Sequence, residues 1–234
     1  MGLKNKKVNE EIIKRIATAL GDLNDQVVYV GGAVVSLYAD DPAADDVRPT
    51  KDIDIFLEIG SYGKLVQLQE EIANKGFYPA PDEEIICRFK YEDILIDIMA
   101  TKEVGWAQAD KWFAPGMKKL EKFQIADKTI NILHTSYFLA TKFNAFQDRK
   151  EEARVSSHFE DIVYVLDNRI NLVKEIISSP DDVRNFLIQK FREMVKPEYK
   201  EAILAHLFYE SQTERYKLLI EKLNEIIRAA QQIK

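Results

Sequence analysis

The sequence predicts an α+β protein: a small mixed β-sheet core with flanking helices over residues 1–135, followed by a C-terminal helical bundle over residues 136–234. Three observations carry this. Short apolar runs alternate with helical patterns up to about residue 135, and every later segment has helical spacing. Charge divides at the same place. Residues 136–234 hold 16 Lys+Arg and 16 Asp+Glu, whereas residues 1–135 hold 17 and 23, so the net charge of −6 lies wholly in the N-terminal part. Finally, 234 residues with 46% apolar content suit one large domain or two small ones, each able to bury a core.

The elements follow in order. A helical pattern over 8–20 opens the chain, and Val27–Val30 reads as a buried strand. That strand ends in Gly31-Gly32, just before a second helical pattern at 33–39. Residues 40–50, with two prolines and no apolar period, read as a loop. Asp52–Ile59 reads as a strand and 63–75 as a helix stopped by Gly76. Ile85–Tyr91 and Ile94–Met99 form a hairpin through Glu92-Asp93, and Phe123–Ala126 and Thr129–Leu133 a second around Asp127-Lys128. Trp106, Trp112 and Phe113, in the irregular stretch before it, read as core packing rather than base stacking, and His134 and His206 as structural histidines. Further on, Ser179-Pro180-Asp181-Asp182 reads as a helix start, with Ser as N-cap and Pro first in the helix. The spacing of Leu218, Leu219, Leu223, Ile226 and Ile227 predicts an amphipathic final helix.

Composition excludes several functions. No apolar run approaches the ~20 residues of a membrane span, the N-terminus lacks the apolar stretch of a signal peptide, and Gly2 opens no myristoylation motif because Lys6 follows it. One cysteine and three histidines exclude internal disulfides and disfavour a zinc site. A reducing cytoplasmic location and no membrane partner are therefore expected. A pI near 5.3 excludes a uniformly basic nucleic-acid surface, though not a local patch.

Three features carry chemistry. Val30-Gly31-Gly32-Ala33 lets backbone approach a ligand closely ahead of a helix N-terminus; a strand needing a tight exit gives the same pattern. The chain contains neither GxxxxGK[ST] nor GxGxxG. In Asp52-Ile53-Asp54-Ile55 the two acids share one strand face while the isoleucines enter the core. Carboxylates so close suit Mg²⁺ or Mn²⁺ between them, or form the acidic outer face of a half-solvated strand. Asp97 sits inside the apolar run Ile94–Met99, where an unpaired carboxylate costs several kcal/mol. It faces either the side of Asp52 and Asp54 or a nearby Lys or Arg. Lys142 and Arg149 share a helical stripe with Phe138 and Ala145, forming either a partly covered basic surface or snorkelling cations at a helix edge.

Jointly, the Gly-Gly strand exit, the D-x-D strand and the later Asp97 resemble the nucleotidyltransferase superfamily with the DNA-polymerase-beta-like fold. The segments Tyr137–Arg149 and Ser156–Ile162, with Arg48-Pro49-Thr50, resemble the AbiEii/AbiGii toxin family of those enzymes over roughly residues 25–169. Two departures stand out: a long interval between Gly32 and Asp52, as if 40–48 were inserted, and His158 where the family has an acid. The resemblance implies that Asp52, Asp54 and Asp97 are catalytic and hold two Mg²⁺ or Mn²⁺ ions. It implies that Gly31, Gly32 and Ser36 hold the phosphates of an NTP, with Lys142, Arg149 and Asp161 also in the nucleotide site. The reaction would pass a nucleoside monophosphate to a hydroxyl of RNA, such as tRNA, or of protein, releasing pyrophosphate. A toxin–antitoxin or phage-defence role, with a cognate antitoxin as partner, is implied as well. The rival readings are a non-catalytic nucleotide- or partner-binding module on the same fold, and a phosphohydrolase using the same acids with water.

Overall fold

The computed structural model describes residues 3–50, 52–80 and 87–233, in two compact units. The first comprises the chain up to Val34 together with Asp46–His134; the second comprises Val35–Asp45 together with the chain from Thr135 onward. Gly2, Ile85 and Ile86, which enter the expectations above, lie outside the described residues.

In the first unit, α1 (Lys4–Leu20) buries Asn9, Ile13, Ile16, Ala17 and Leu20, one stripe at helical spacing. Asp46 caps it, its carboxylate accepting from the backbone N–H of Asn5 at 2.7 Å and of Lys6 at 3.0 Å. The strands are β1 (Val28–Val30), β2 (Asp52–Leu57), β3 (Tyr78–Pro79), β4 (Arg88–Tyr91), β5 (Ile94–Ala100), β6 (Leu120–Ile125) and β7 (Lys128–Leu133). Helix α2 (Tyr62–Asn74) links β2 to β3, and the short α3 (Phe113–Gly116) precedes β6. The seven strands form one mixed sheet in the order β3-β4-β5-β2-β1-β7-β6. β2 runs parallel to β5 and antiparallel to β1, which runs parallel to β7. The hairpins β4–β5 and β6–β7 are antiparallel, with Glu92 and Ala126 at positive φ in their turns. The first turn falls where the sequence puts it; the second lies one residue earlier than expected, at Ala126-Asp127, because Lys128 already pairs with Ile125, and β6 starts three residues before Phe123.

The core of this unit alternates along β2, where Ile53 and Ile55 are buried between the half-buried Asp52 and Asp54. Phe113 stacks on Phe56 with ring centroids 4.1 Å apart, and Phe89 meets Trp106 at 5.0 Å. Trp112 and Phe113 are buried, so these aromatics are packing residues.

The second unit holds α4 (Thr135–Arg149), α5 (Ser157–Asn168), α6 (Leu172–Ile177), α7 (Asp181–Met194), α8 (Lys200–Ala205) and α9 (Gln212–Gln231). Among the described residues no helix is long and apolar enough to cross a membrane. The expected helix at 33–39 is only a 3₁₀ turn, Val35–Tyr38. All four of its residues are buried, and β-branched Val34-Val35 resists a regular helix. The 40–45 stretch is tied to α5 and its neighbours: Asp40 and Asp41 donate backbone N–H to the Asn168 carbonyl, and Tyr164 donates its hydroxyl to the Asp45 carbonyl at 3.0 Å. Ser179 is not the N-cap of α7. Its hydroxyl donates to the Glu175 carbonyl at 2.6 Å, closing the end of α6, and Pro180 takes the cap position ahead of Asp181. In α9, Leu219, Leu223 and Ile226 are buried, whereas Leu218 is exposed.

Candidate active site

The acids come together on the sheet of the first unit. Asp52 and Asp54 lie two residues apart on β2 and therefore share a face. β2 and β5 pair in parallel register with Asp54 beside Asp97, which puts Asp97 on that face too. Asp97 is 8% exposed, so its charge needs partners in the protein.

The partner is Arg88. The two-residue turn after Tyr91 pairs Tyr91 with Ile94, and by the same count Arg88 with Asp97. The Arg88 guanidinium grips Asp97 with two bonds, Nε to Oδ1 at 2.7 Å and Nη2 to Oδ2 at 2.9 Å. Nη2 also lies 3.4 Å from Asp52 Oδ2. One cation therefore bridges two of the three carboxylates. Both readings of Asp97 hold at once: it faces the D-x-D acids and is paired with an arginine.

The remaining parts of the site are shaped around these acids. Gly31 has φ +75°, and a Cβ there would fall 1.7 Å from Asp54 Oδ2. The missing side chain is the space that Asp54 occupies. Gly31→Ala is therefore expected to cost about 2–3 kcal/mol, from the left-handed backbone and the collision together, read as a lower urea midpoint at unchanged slope. A Cβ on Gly32 would lie 2.8 Å from Arg48 Nη2, so the second glycine admits a guanidinium beside the turn. Thr50 donates its hydroxyl to Asp52 Oδ1 at 2.9 Å. Thr50 is itself set by Asn9, fully buried on α1, whose side-chain oxygen accepts the Thr50 backbone N–H at 3.1 Å. Asn9 and Thr50 thus position Asp52.

Ser36 belongs to the second unit; its hydroxyl is buried, with no hydrogen-bond partner among the described residues. In the same unit Lys142 is no snorkelling surface lysine. It is 4% exposed and donates to Asp161 Oδ2 at 2.6 Å, with its ammonium 5.4 Å from the Phe138 ring. Arg149, at the end of α4, is exposed and pairs with Glu151 at 3.9 Å. His158, on α5, has two buried ring nitrogens with no hydrogen-bond partner among the described residues. Burial first, then the charges of Lys142 and Arg149, push its pKa down to about 4. The unfolded histidine binds its proton near pH 6.5 and the folded one only near 4. Stability should therefore fall as pH drops between those values, by on the order of 2 kcal/mol after allowance for partial exposure. Urea titrations at pH 7 and pH 4.5 should show a smaller loss in His158→Leu than in the wild type. His206 donates its Nε2–H to the Ala153 carbonyl at 2.8 Å and is structural.

Whether the acids suit a divalent ion turns on this geometry. Carboxylate oxygens on one face are the donors that Mg²⁺ and Mn²⁺ take, and the guanidinium bridging Asp52 and Asp97 marks a place that calls for positive charge. The donor type fits. Among the described residues, however, no group of three His, Cys, Asp or Glu side chains is assembled as a metal cage, and Arg88 holds two of the acids.

Arg88 and Asn9 are parts of the site that sequence reasoning passed over, while Arg48 and Thr50 entered it only as a family-like segment with no role assigned. For Arg88 the signal was present: counting back from the Glu92-Asp93 turn pairs position 88 with 97.

No protein-family model matches the chain, and no curated protein does. Among solved structures it is similar to an antigenic nucleotidyltransferase-like protein from Paracoccidioides brasiliensis, at 14% identity and TM-score 0.51, over 85% of this chain and 93% of that one. It is also similar to the antibiotic-resistance factor ANT(2'')-Ia, at 13% identity and TM-score 0.50, over 81% of this chain and 96% of that one. The fold is therefore nucleotidyltransferase-like.

Proposed function

We propose that the protein is an NTP-dependent nucleotidyltransferase that passes a nucleoside monophosphate to a hydroxyl acceptor and releases pyrophosphate. The observation that carries this is the placement of Asp52, Asp54 and Asp97 on one sheet face, with Gly31 packed against Asp54, in a nucleotidyltransferase-like fold. In this reading the three carboxylates hold Mg²⁺ or Mn²⁺, which supplies positive charge to the phosphates and to the attacking hydroxyl. Asn9 and Thr50 keep Asp52 oriented, and the absent Cβ of Gly31 keeps Asp54 in line with Asp97. Arg48, beside Gly32, offers the phosphates a cation on the same unit as the acids. The motif likeness to the AbiEii/AbiGii toxin family assigns Gly32, Ser36, Lys142 and Arg149 to the nucleotide, with Asp161 as the buried counter-ion that fixes Lys142. The same likeness supports RNA, such as tRNA, or protein as acceptor, and a cytoplasmic toxin role with a cognate antitoxin.

One observation favours a second reading. Arg88 already neutralises Asp97 and touches Asp52, as in a binding module that has given up catalysis. Incubation with each α-labelled NTP, Mg²⁺ and total cellular RNA or lysate separates the two. Transfer of label to one macromolecular class, with pyrophosphate release, is the expected result. NTP binding without any transfer would establish the module instead, and phosphate release without labelled acceptor would point to hydrolysis.

A further inference from the structure

The arginine in the acidic site has a consequence for metal binding. Arg88 and Asp97 are each only 11% exposed in their side chains, so water competes little for either charge. The bidentate fork directs Nε at one oxygen of Asp97 and Nη2 at the other. Nη2 reaches across to Asp52 on the neighbouring strand β2. A divalent cation needs those same oxygens and repels the guanidinium that holds them. A carboxylate as buried as Asp97 needs a counter-charge, and in this structure Arg88 supplies it.

We propose that Arg88 is an internal counter-ion that competes with the divalent cation for Asp97 and Asp52, so that metal affinity in this protein is set by how firmly Arg88 holds them. This rests on reading the three acids as a metal site. Arg88 is then a positioning residue with two states: closed on Asp97 when the site carries no metal, and displaced from it when a cation binds. Loss of the arginine frees both Asp97 oxygens, and the site then gains more from a divalent ion than the wild type does.

The test is Mn²⁺ binding to the apo protein, followed by calorimetry and by the electron-spin signal of free Mn²⁺. Arg88→Gln should bind Mn²⁺ about tenfold more tightly than wild type, and Arg88→Lys, which keeps a point charge but loses the fork, should fall between. Without metal, Arg88→Gln should melt below wild type, and saturating Mn²⁺ should raise its midpoint by more than it raises that of wild type. Should Arg88→Gln fail to fold without metal, Arg88→Lys decides, because its affinity must still exceed that of wild type. Asp97→Asn reports the metal site itself and should weaken Mn²⁺ binding. Equal affinity in wild type and both Arg88 variants, with Asp97→Asn still weakened, overturns the competition and leaves the metal site standing. Absence of Mn²⁺ binding from every form overturns both.

Discussion

Asp54→Asn, and likewise Asp52→Asn, should reduce nucleotidyl transfer by about 10³-fold or more while leaving the protein folded. The reason lies in what an amide keeps and what it loses. Asparagine has the shape of aspartate, so it still fills the space left by Gly31 at position 54 and still accepts the Thr50 hydroxyl at position 52. Neither change opens a cavity, and at position 52 only the long 3.4 Å contact with Arg88 Nη2 is given up, because the amide nitrogen takes the place of that oxygen. What goes is one of three negative charges on a single face, and with it the attraction for a cation. Removing one of several neighbouring like charges also relieves repulsion, so the thermal midpoint should hold or rise slightly. Label transfer and thermal melting on the same preparation check both halves. A variant retaining near-wild-type transfer would take these residues out of the mechanism, and a sharp fall in melting temperature would make them structural.

Lys142→Met should destabilise the second unit by about 3–5 kcal/mol, a large part of the total stability of a typical protein. The Lys142 and Asp161 side chains are 5% and 3% exposed, and their 2.6 Å ion pair joins α4 to α5. Methionine fits the volume but leaves the Asp161 carboxylate buried with its ammonium removed. Asp161→Asn should cost less, because its amide oxygen still accepts from Lys142 and its loss of charge spares the desolvation of a carboxylate. The double variant Lys142→Met/Asp161→Leu should recover much of the loss, since removing a buried pair together is far less harmful than breaking it. Urea unfolding of these proteins checks this, and with the Asp161→Leu single variant added, the cycle of wild type, Lys142→Met, Asp161→Leu and the double variant returns a coupling energy. A surface lysine would change stability by no more than about 0.5 kcal/mol. Activity measured on Lys142 variants has to be read against this stability loss, with protein confirmed folded at the assay temperature.

Much of the architecture was legible because it depends on local pattern. The hairpins followed from apolar runs broken by Glu92-Asp93 and Asp127-Lys128, and the two acids of β2 followed from the two-residue period of a strand. The likeness to nucleotidyltransferases likewise rested on residues close in sequence. Two local readings failed where tertiary packing overrode propensity. The 33–39 helix shrank to a 3₁₀ turn, Val35–Tyr38, whose four residues are all buried and whose run opens on the β-branched pair Val34-Val35. Ser179 turned back to the end of α6, where an open carbonyl gained more from its hydroxyl than the start of α7 did.

The sequence by itself determined most of the element types and turn positions, the shared face of Asp52 and Asp54, and the near-neutral character of the C-terminal helices. The tertiary structure decided how charges pair beyond a single hairpin. The β4–β5 hairpin count already set Arg88 opposite Asp97, but only the strand order β4-β5-β2 brought the same guanidinium to Asp52. Lys142 sat on a readable helical stripe, yet its burial depends on α5 bringing Asp161 against it from nineteen residues away. The physical reason is the same in both cases. Periodicity reports which face of an element a residue occupies, whereas the cost of a buried charge is settled by whichever opposite charge the fold brings within reach.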